Sequence, residues 1–314
     1  MIVLVGPTGI GKTKLSIMLA KHYNTEIISG DSVQVYKKLD IGSAKVTKEE
    51  TQGIKHHLID IFEPTEDFSV ALYQKLVRNK IDEFNSKNQI PLIVGGTGLY
   101  IKSVLYDYNF DETKRDHSLE EEYKDLNNEE LHSILKEKDE ESSIKIHPNN
   151  RKRVLQAISR SSSNKVSDNT NKDNKVYDFT LIGLTLEREQ LYEIINKRVD
   201  IMINNGLIEE VKSLYDANIQ SNSVQAIGYK ELYTYFDKNC TLEEAVNKIK
   251  QKSRNLAKKQ FTFFNNQFDC NWVDVDLNNF DNTFKKVINI IENRWNHGRV
   301  IQSITVNICS WNGR

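Results

Sequence analysis

The chain opens on a pairing that few folds accommodate. An apolar run, Met1 to Val5 (MIVLV), passes without a break into Gly6-Pro7-Thr8-Gly9-Ile10-Gly11-Lys12-Thr13. A continuous apolar run that ends at glycine reads as a strand buried on both faces, the habit of parallel sheets. Gly11 to Tyr23 then carries Leu15, Ile17, Met18 and Leu19 mostly on one helical stripe. The octet between them fits G-x-x-x-x-G-K-[ST] in the strand-then-helix setting that gives this spacing its meaning. Gly9 and Gly11 let backbone amides close around a diphosphate, and the helix N-terminus adds partial positive charge. Lys12 supplies a mobile cation, and the Thr13 hydroxyl is placed to ligate Mg2+. Residues 6–13 are therefore expected to bind phosphate groups, as nucleotide- and ATP-binding loops do.

Short apolar runs and helical stretches alternate through the next ninety residues. Glu26 to Ser29, His57 to Ile61 and Ile90 to Val94 read as strands, and Val70 to Phe84 has a helical period. Alternation of this kind predicts an α/β fold, a P-loop NTPase-like parallel sheet flanked by helices. The pattern changes near Asn109. Residues 110–179 read as an inserted helical domain, acidic at first and closing on a polar stretch, Ser161 to Lys175, expected to be a loop. Phe179 to Leu186 returns to strand character, Glu187 to Phe264 is strongly helical, and Trp272 to Val275 is a late strand before a helix over Asn279 to Trp295. The core is thus expected over 1–109 and 180–295, and the tail from 296 to 314 fits no element.

The 314 residues are 38% hydrophobic and 28% charged, enough to bury a core and too apolar for wholesale disorder. No apolar run approaches the ~18 residues that span a bilayer. Cys240, Cys270 and Cys309 stand far apart, which suits a reducing cytoplasm rather than a disulfide framework. Lys+Arg number 43 and Asp+Glu 44, but the balance is uneven along the chain. Asp111 to Glu141 has 13 acidic and 5 basic residues, whereas Lys145 to Arg160 and Lys248 to Lys259 hold five and six cations and no carboxylate. Six cations in twelve helical residues cannot all find i,i+4 partners. Those runs are expected to face a nucleic-acid backbone, with charge reversal at Lys252, Arg254 and Lys258 weakening it; a solvated face is the bland alternative. Phe261, Phe263 and Phe264 stack on bases or, for at least two of them, pack in the core.

Other candidates leave two readings open. Asp31 comes after the strand EIISG and so belongs at the carboxyl edge of the sheet, as a proton acceptor or as a cap for the next segment. Thr97 sits in a glycine-flanked turn, near a ligand or as an N-cap. The strand Ile90 to Val94 ends without the carboxylate that an NTP-hydrolysing site uses, and Asp60 is either its substitute or a turn residue. His56 and His57 point to opposite faces of a strand and read as structural. Tyr229, Tyr233, Tyr235 and Phe236 read as helix packing.

Together several segments resemble one family, the bacterial tRNA dimethylallyltransferases, or tRNA isopentenyltransferases. They are GPTGIGKT (6–13), DSVQVYKKLDIGSAK (31–45), HHLIDI (56–61), PLIVGGTGLYIK (91–102), IHPNN with Arg153 (146–153), QAIGYKE (225–231) and LAKKQ (256–260), in order. The resemblance implies transfer of a dimethylallyl group from dimethylallyl diphosphate to the exocyclic amine of the adenosine 3′ of the anticodon. It implies that residues 6–13 hold the leaving diphosphate with Mg2+ bound at Thr13, and that the insertion grips the anticodon stem-loop of the tRNA. By the same resemblance Asp31 is the general base, Thr97 assists, and Lys12 and Lys230 stabilise diphosphate charge. Contacts to tRNA are implied for Asp31, Ser32, Val33, Gln34 and Thr97, for Lys152, Arg153, Val154, Leu155 and Gln156, and for Gln225, Lys230, Lys258, Lys259, Gln260 and Phe263. A cytoplasmic monomer with no membrane partner is expected. Gln225, Lys230, Phe263 and Asn265 depart from arginine, arginine, tryptophan and arginine of the family pattern, and Val46 replaces a usual proline. A P-loop small-molecule or nucleotide kinase is the alternative enzyme, and a tRNA-binding protein without catalysis is a third reading.

Overall fold

Ile2, Val3, Leu4 and Val5 have no solvent exposure at all, which places the first strand in the middle of a layered core. A computed structural model describes residues 1–108, 110, 118–162 and 173–311. In chain order the elements are β1 (Ile2–Val5), α1 (Lys12–His22), β2 (Ile27–Gly30), β3 (His56–His57), α2 (Val70–Ser86), β4 (Leu92–Gly95) and α3 (Gly98–Leu105). Then come α4 (Ser118–Glu122), α5 (Asn128–Lys138), α6 (Glu140–Lys145) and α7 (Arg151–Ser162). β5 (Thr180–Thr185), α8 (Arg188–Asn204), α9 (Leu207–Asp216), a 3-10 turn (Asn222–Gln225), α10 (Tyr229–Phe236), α11 (Leu242–Gln267), β6 (Asn271–Asp274) and α12 (Phe280–Trp311) complete the chain.

Among the described residues six strands form one sheet in the order β3-β2-β4-β1-β5-β6, and every adjacent pair is parallel. Burying each of the four β1 side chains is worth about 1.5–3 kcal/mol, whereas an exposed ion pair such as Lys37–Glu63 is screened by solvent. Apolar burial, not surface charge, therefore sets the sheet. One apolar cluster joins β1, β5 and β6 to Leu15 and Leu19 of α1 and Val287 and Ile291 of α12. A second joins Val35, Tyr36 and Leu39 to Leu207, Val211, Tyr229, Leu232 and Ile249 of the later helices.

The chain divides into two compact units, Met1–Leu105 with Tyr177–Arg314, and Tyr106–Val176. The smaller unit has its own core of Leu131, Leu135, Val154, Ala157 and Ile158. Asn127 and Glu130 cap α5 reciprocally, each side chain taking the other's backbone amide. Where the unit's chain enters and leaves, Tyr106 bridges Lys175 and the Asp107 amide donates to Asn174 O at 3.0 Å.

The strand expected over His57 to Ile61 stops at His57, because Leu58 and Asp60 take φ of 63° and 55°, outside any strand geometry. The expected strand Glu26 to Ser29 is shifted by one residue, to Ile27–Gly30. The tail expected to fit no element continues α12 as far as Trp311; a lone glycine at 298 does not stop a helix unless the chain takes up a capping turn there. The polar loop expected from 161 to 175 falls on residues 163–172, outside the described residues, and its first two residues still belong to α7.

Candidate active site

Three neighbouring strands end together. In the register Val5, Gly95 and Gly30 lie level across β1, β4 and β2, so Gly6, Gly96 and Asp31 emerge side by side at the carboxyl edge. Parallel sheets bind ligands at this edge, at the strand where the order reverses, and β1 is that strand. Gly95 is required here. A Cβ on it would lie 2.3 Å from Gly30 O, so the two backbones approach where no side chain fits. Across that approach the Thr97 amide donates to Gly30 O at 3.3 Å, and Thr97 Oγ1 lies 3.4 Å from Ser32 Oγ.

The loop after β1 has the geometry its glycines allow. Gly9 and Gly11 have φ of 81° and 97°, left-handed values that cost other residues strain. Gly11 caps α1 without a side-chain hydrogen bond, so the first-turn amides are left for an anion. Lys12 Nζ folds back over the loop and donates to Gly6 O at 2.9 Å and Pro7 O at 2.7 Å. Burial lowers its pKa to about 7, helped by the charge of Arg198 and opposed by Asp31. Thr13 comes next on the same turn, exposed at the edge of the loop.

Asp31 caps the turn that follows β2. Its Oδ1 accepts from the amides of Val33 at 2.8 Å and Gln34 at 3.2 Å, the turn-capping role. Its Oδ2 has no donor among the described residues, so the cap leaves one carboxylate oxygen uncommitted. An aromatic cluster lies within electrostatic range: Tyr73 and Tyr100 have ring centres 4.9 Å apart, and Phe68 and Tyr100 5.9 Å. Burial and then the Asp31 charge raise the Tyr73 phenol, whose buried hydroxyl has no hydrogen-bond partner among the described residues. Burial, Tyr36 and Asp31 push Tyr100 up to about 12.

The phosphate-type loop and Asp31 border one cavity of about 1080 Å3, whose lining does not include Thr97, Tyr73 or Tyr100. Thr8, Gly9, Lys12, Thr13, Asp31 and Gly96 line it, with residues 40–47, and α8 and α11 add Ile195, Arg198, Val199, Ile201, Met202, Leu256 and Gln260. Ile201 and Leu256 are 56% and 38% exposed, so apolar surface in this cavity stands uncovered. Reading the chain for motifs does not single out Arg198. The signal is there nonetheless: at spacing 191-195-198-202 it interrupts the buried stripe of Leu191, Ile195 and Val199 with a cation. Lys230, by contrast, is exposed at the start of α10 and does not line the cavity, although Gln225 to Gly228 do.

The wall formed by residues 40–47 is held by Glu210 of α9. Its carboxylate accepts from the amides of Asp40, Ile41 and Gly42 at 2.9, 2.8 and 3.1 Å, and from the Tyr229 hydroxyl at 2.7 Å. Replacing Glu210 by alanine is expected to lower unfolding stability by about 2–4 kcal/mol in a urea titration, with Tyr229→Phe costing only about 1 kcal/mol. Equal effects of the two would remove Glu210 as the anchor. Lys45, also buried, donates to Tyr36 O at 2.8 Å and pairs with Asp40 and Asp60. Asp60 therefore takes the turn reading, tied to Lys45 rather than standing in for a strand-end carboxylate. His56 Nδ1 meets Ile54 O and His57 Nε2 meets Glu26, structural positions in which burial lowers both pKa values.

The basic runs are less free than their composition implies. Lys252 pairs with buried Glu231 at 2.6 Å, Lys250 with Asp200 at 2.6 Å, and Arg254 donates to Asn196 Oδ1 at 2.6 Å. Charge reversal at Lys252 or Arg254 would thus also disturb internal contacts. Lys258 and Lys259 are exposed, on a face of α11 shared with Thr262, Phe263 and Asn266. Phe264 is fully buried, and Phe261 leans on Trp272 with ring centres 4.6 Å apart. In the helical unit Lys152 and Arg153 are exposed and Leu155 and Gln156 half-buried, but Val154 has no exposure. Its side chain belongs to that unit's core, so the expected tRNA contact does not come from it.

A sequence model described as IPP transferase matches residues 34–267. A Bacillus licheniformis protein named tRNA dimethylallyltransferase is 52% identical over 87% of this chain and 90% of its own length. A full-length tRNA isopentenylpyrophosphate transferase from Bacillus halodurans superposes with a TM-score of 0.75 at 43% identity, covering 96% of this chain and 98% of that one. A eukaryotic dimethylallyltransferase captured acting on tRNA gives a TM-score of 0.81 at 26% identity, over 95% and 79% of the two chains. The six-stranded parallel sheet with flanking helices is thus the P-loop NTPase-like fold of these enzymes, and the chain belongs to the IPP transferase family.

Proposed function

We propose that this chain transfers a dimethylallyl group from dimethylallyl diphosphate to the exocyclic amine of the adenosine immediately 3′ of a tRNA anticodon. The observation that carries the reading is one cavity joining a phosphate-type loop, the Asp31 carboxylate and an apolar wall. A kinase has use for the first two. Ile195, Val199, Ile201, Met202 and Leu256 suit a donor with a hydrocarbon tail. The names carried by the relatives point the same way.

In this reading Lys12 exchanges the carbonyls of Gly6 and Pro7 for diphosphate oxygens, with Arg198 as a second cation. Asp31 Oδ2 takes the amine proton as the carbon–nitrogen bond forms and the carbon–oxygen bond to diphosphate breaks, with Thr97 assisting. Like Thr97, Lys230 is not among the residues that line the cavity. The donor this chain offers Mg2+ is the Thr13 hydroxyl, which borders the cavity beside the phosphate-type loop. Mg2+ keeps several waters and takes phosphate oxygens, so a single hydroxyl serves it. When bound it supplies charge that favours departure of the diphosphate.

The RNA is held by Ser32, Val33 and Gln34, by Lys152 and Arg153, and by Lys258, Lys259 and Phe263. The reading places the protein in the cytoplasm, where a tRNA substrate is met. No described helix is long and apolar enough to cross a membrane.

The test is incubation with an anticodon stem-loop RNA and dimethylallyl diphosphate, the adenosine then examined by mass spectrometry. A mass gain of one dimethylallyl group supports the reading. Phosphate moved from ATP to an acceptor, with no prenylated adenosine, would establish the kinase instead. RNA binding without turnover of either donor would leave a binding protein. Converting Lys258 and Lys259 to glutamine should weaken RNA binding and reduce its logarithmic salt slope by about 1 for each phosphate no longer neutralised. An unchanged slope would move the RNA off this face of α11.

A further inference from the structure

Helix α11 reaches the middle of the sheet through one amide. Gln260 Oε1 accepts from the Thr8 amide at 3.0 Å, and Gln260 Nε2 donates to Gly96 O at 3.0 Å. Thr8 belongs to the phosphate-type loop after β1, and Gly96 opens the turn after β4 that presents Thr97. The two loops come from adjacent strands, and this side chain spans them. The fit is close: a Cβ on Gly96 would stand 2.4 Å from Gln260 Nε2. One helical turn further along α11, the Phe263 ring lies against Gly98, where a Cβ would fall 2.2 Å from the ring. Gln260 and Phe263 therefore bear on the two glycines either side of Thr97.

A glutamine amide suits this task. It presents one acceptor and one donor at a fixed separation, and here one meets an N–H and the other a C=O. Leucine or methionine would fill the space and leave a backbone amide and a carbonyl unpaired in a half-buried place, where each missing bond is worth about 0.5–1.5 kcal/mol. No other described side chain hydrogen-bonds to both loops.

We infer that Gln260 is a positioning residue: it sets the phosphate-type loop and the Thr97 turn at a fixed spacing, so that the diphosphate and the reacting amine meet in register. The inference rests on the prenyl-transfer reading for its use, but the contact itself can be tested without it. It also gives Gln260 a different task from direct contact with tRNA.

The experiment uses the full chain with Gln260→Met, which removes both hydrogen bonds at similar volume, and Gln260→Glu, which keeps only the acceptor for Thr8. Affinity for inorganic diphosphate, affinity for stem-loop RNA, single-turnover rate and amide exchange of the peptides covering residues 6–11 and 95–99 are measured. Gln260→Met is expected to weaken diphosphate binding about tenfold, the product of two ordinary hydrogen bonds, and to speed exchange in both peptides. RNA affinity should stay within about twofold, and the rate should fall at saturating substrates. In Gln260→Glu exchange should rise more in 95–99 than in 6–11. Loss of RNA affinity with diphosphate affinity intact would overturn the inference and make Gln260 an RNA contact, and so would unchanged exchange in both peptides. Should Gln260→Met not fold, the asymmetry in Gln260→Glu decides. A chain that binds diphosphate but transfers nothing would defeat the transfer reading while leaving these measurements interpretable.

Discussion

Asparagine in place of Asp31 is expected to slow single turnover by about 10²–10⁴-fold, the range of a lost general base. The substitution is informative because it separates two roles. The asparagine side chain would keep an oxygen for the amides of Val33 and Gln34, so the turn after β2 should survive. It would lack an oxygen able to take a proton. Asp31→Ala loses both, and should add a fall in thermal midpoint that Asp31→Asn lacks. Single-turnover rates at saturating RNA and donor, beside thermal melts of both variants, make the comparison. A full rate in the asparagine variant would return Asp31 to a purely capping role.

Methionine in place of Lys12 is expected to cost about 10²–10³-fold in transfer, as loss of one donor to a developing anion does elsewhere. It should also carry a pH signature. Burial, with Arg198, holds the Lys12 ammonium at about 7, against about 10.4 for an unfolded lysine. Between those values the unfolded chain binds more protons than the folded one, so this group makes stability rise with pH from about 7 to 10. Lys12→Met should therefore be more stable than the parent at neutral pH, with the gap closing toward pH 10. Diphosphate reverses the balance by favouring the charged ammonium. Binding should take up a proton above pH 7, and affinity should weaken as pH rises through that window. Titration calorimetry in two buffers of different ionisation enthalpy reads the uptake. A parent protein that took up no more protons than Lys12→Met would exclude Lys12 as the diphosphate cation.

Much of this site is legible in the chain because it is local. Gly6 to Thr13 lies within eight residues, and the strand before it is a plain apolar run. Asp31 and Thr97 can be placed at strand ends from the same alternation. The parts that escape are long-range. Arg198 lies in a helical stretch of ordinary composition, and its meaning comes from facing Lys12 and Asp31, more than 160 residues earlier. Glu210 reads as a surface carboxylate until four donors converge on it. Composition misleads where charges pair across elements: the six cations of Lys248 to Lys259 look unmatched within their helix, yet Lys250 and Lys252 find Asp200 and Glu231 on α8 and α10. Backbone geometry is the other blind spot, since nothing in HLIDI announces that Leu58 and Asp60 turn left-handed.

The hold of Glu210 on residues 40–42 bears on how the chain becomes an enzyme. The first hundred residues carry the phosphate-type loop, Asp31 and Thr97, and could pass for a minimal catalyst. Yet the loop at 40–42 hangs from a carboxylate about 170 positions downstream, and the Thr8 amide rests on a glutamine 252 positions away. While the chain leaves the ribosome, its reactive groups are synthesised early and stay unassembled until α11 has emerged. Competence therefore arrives late. A split protein should behave alike, with two inert halves that recover activity only when recombined.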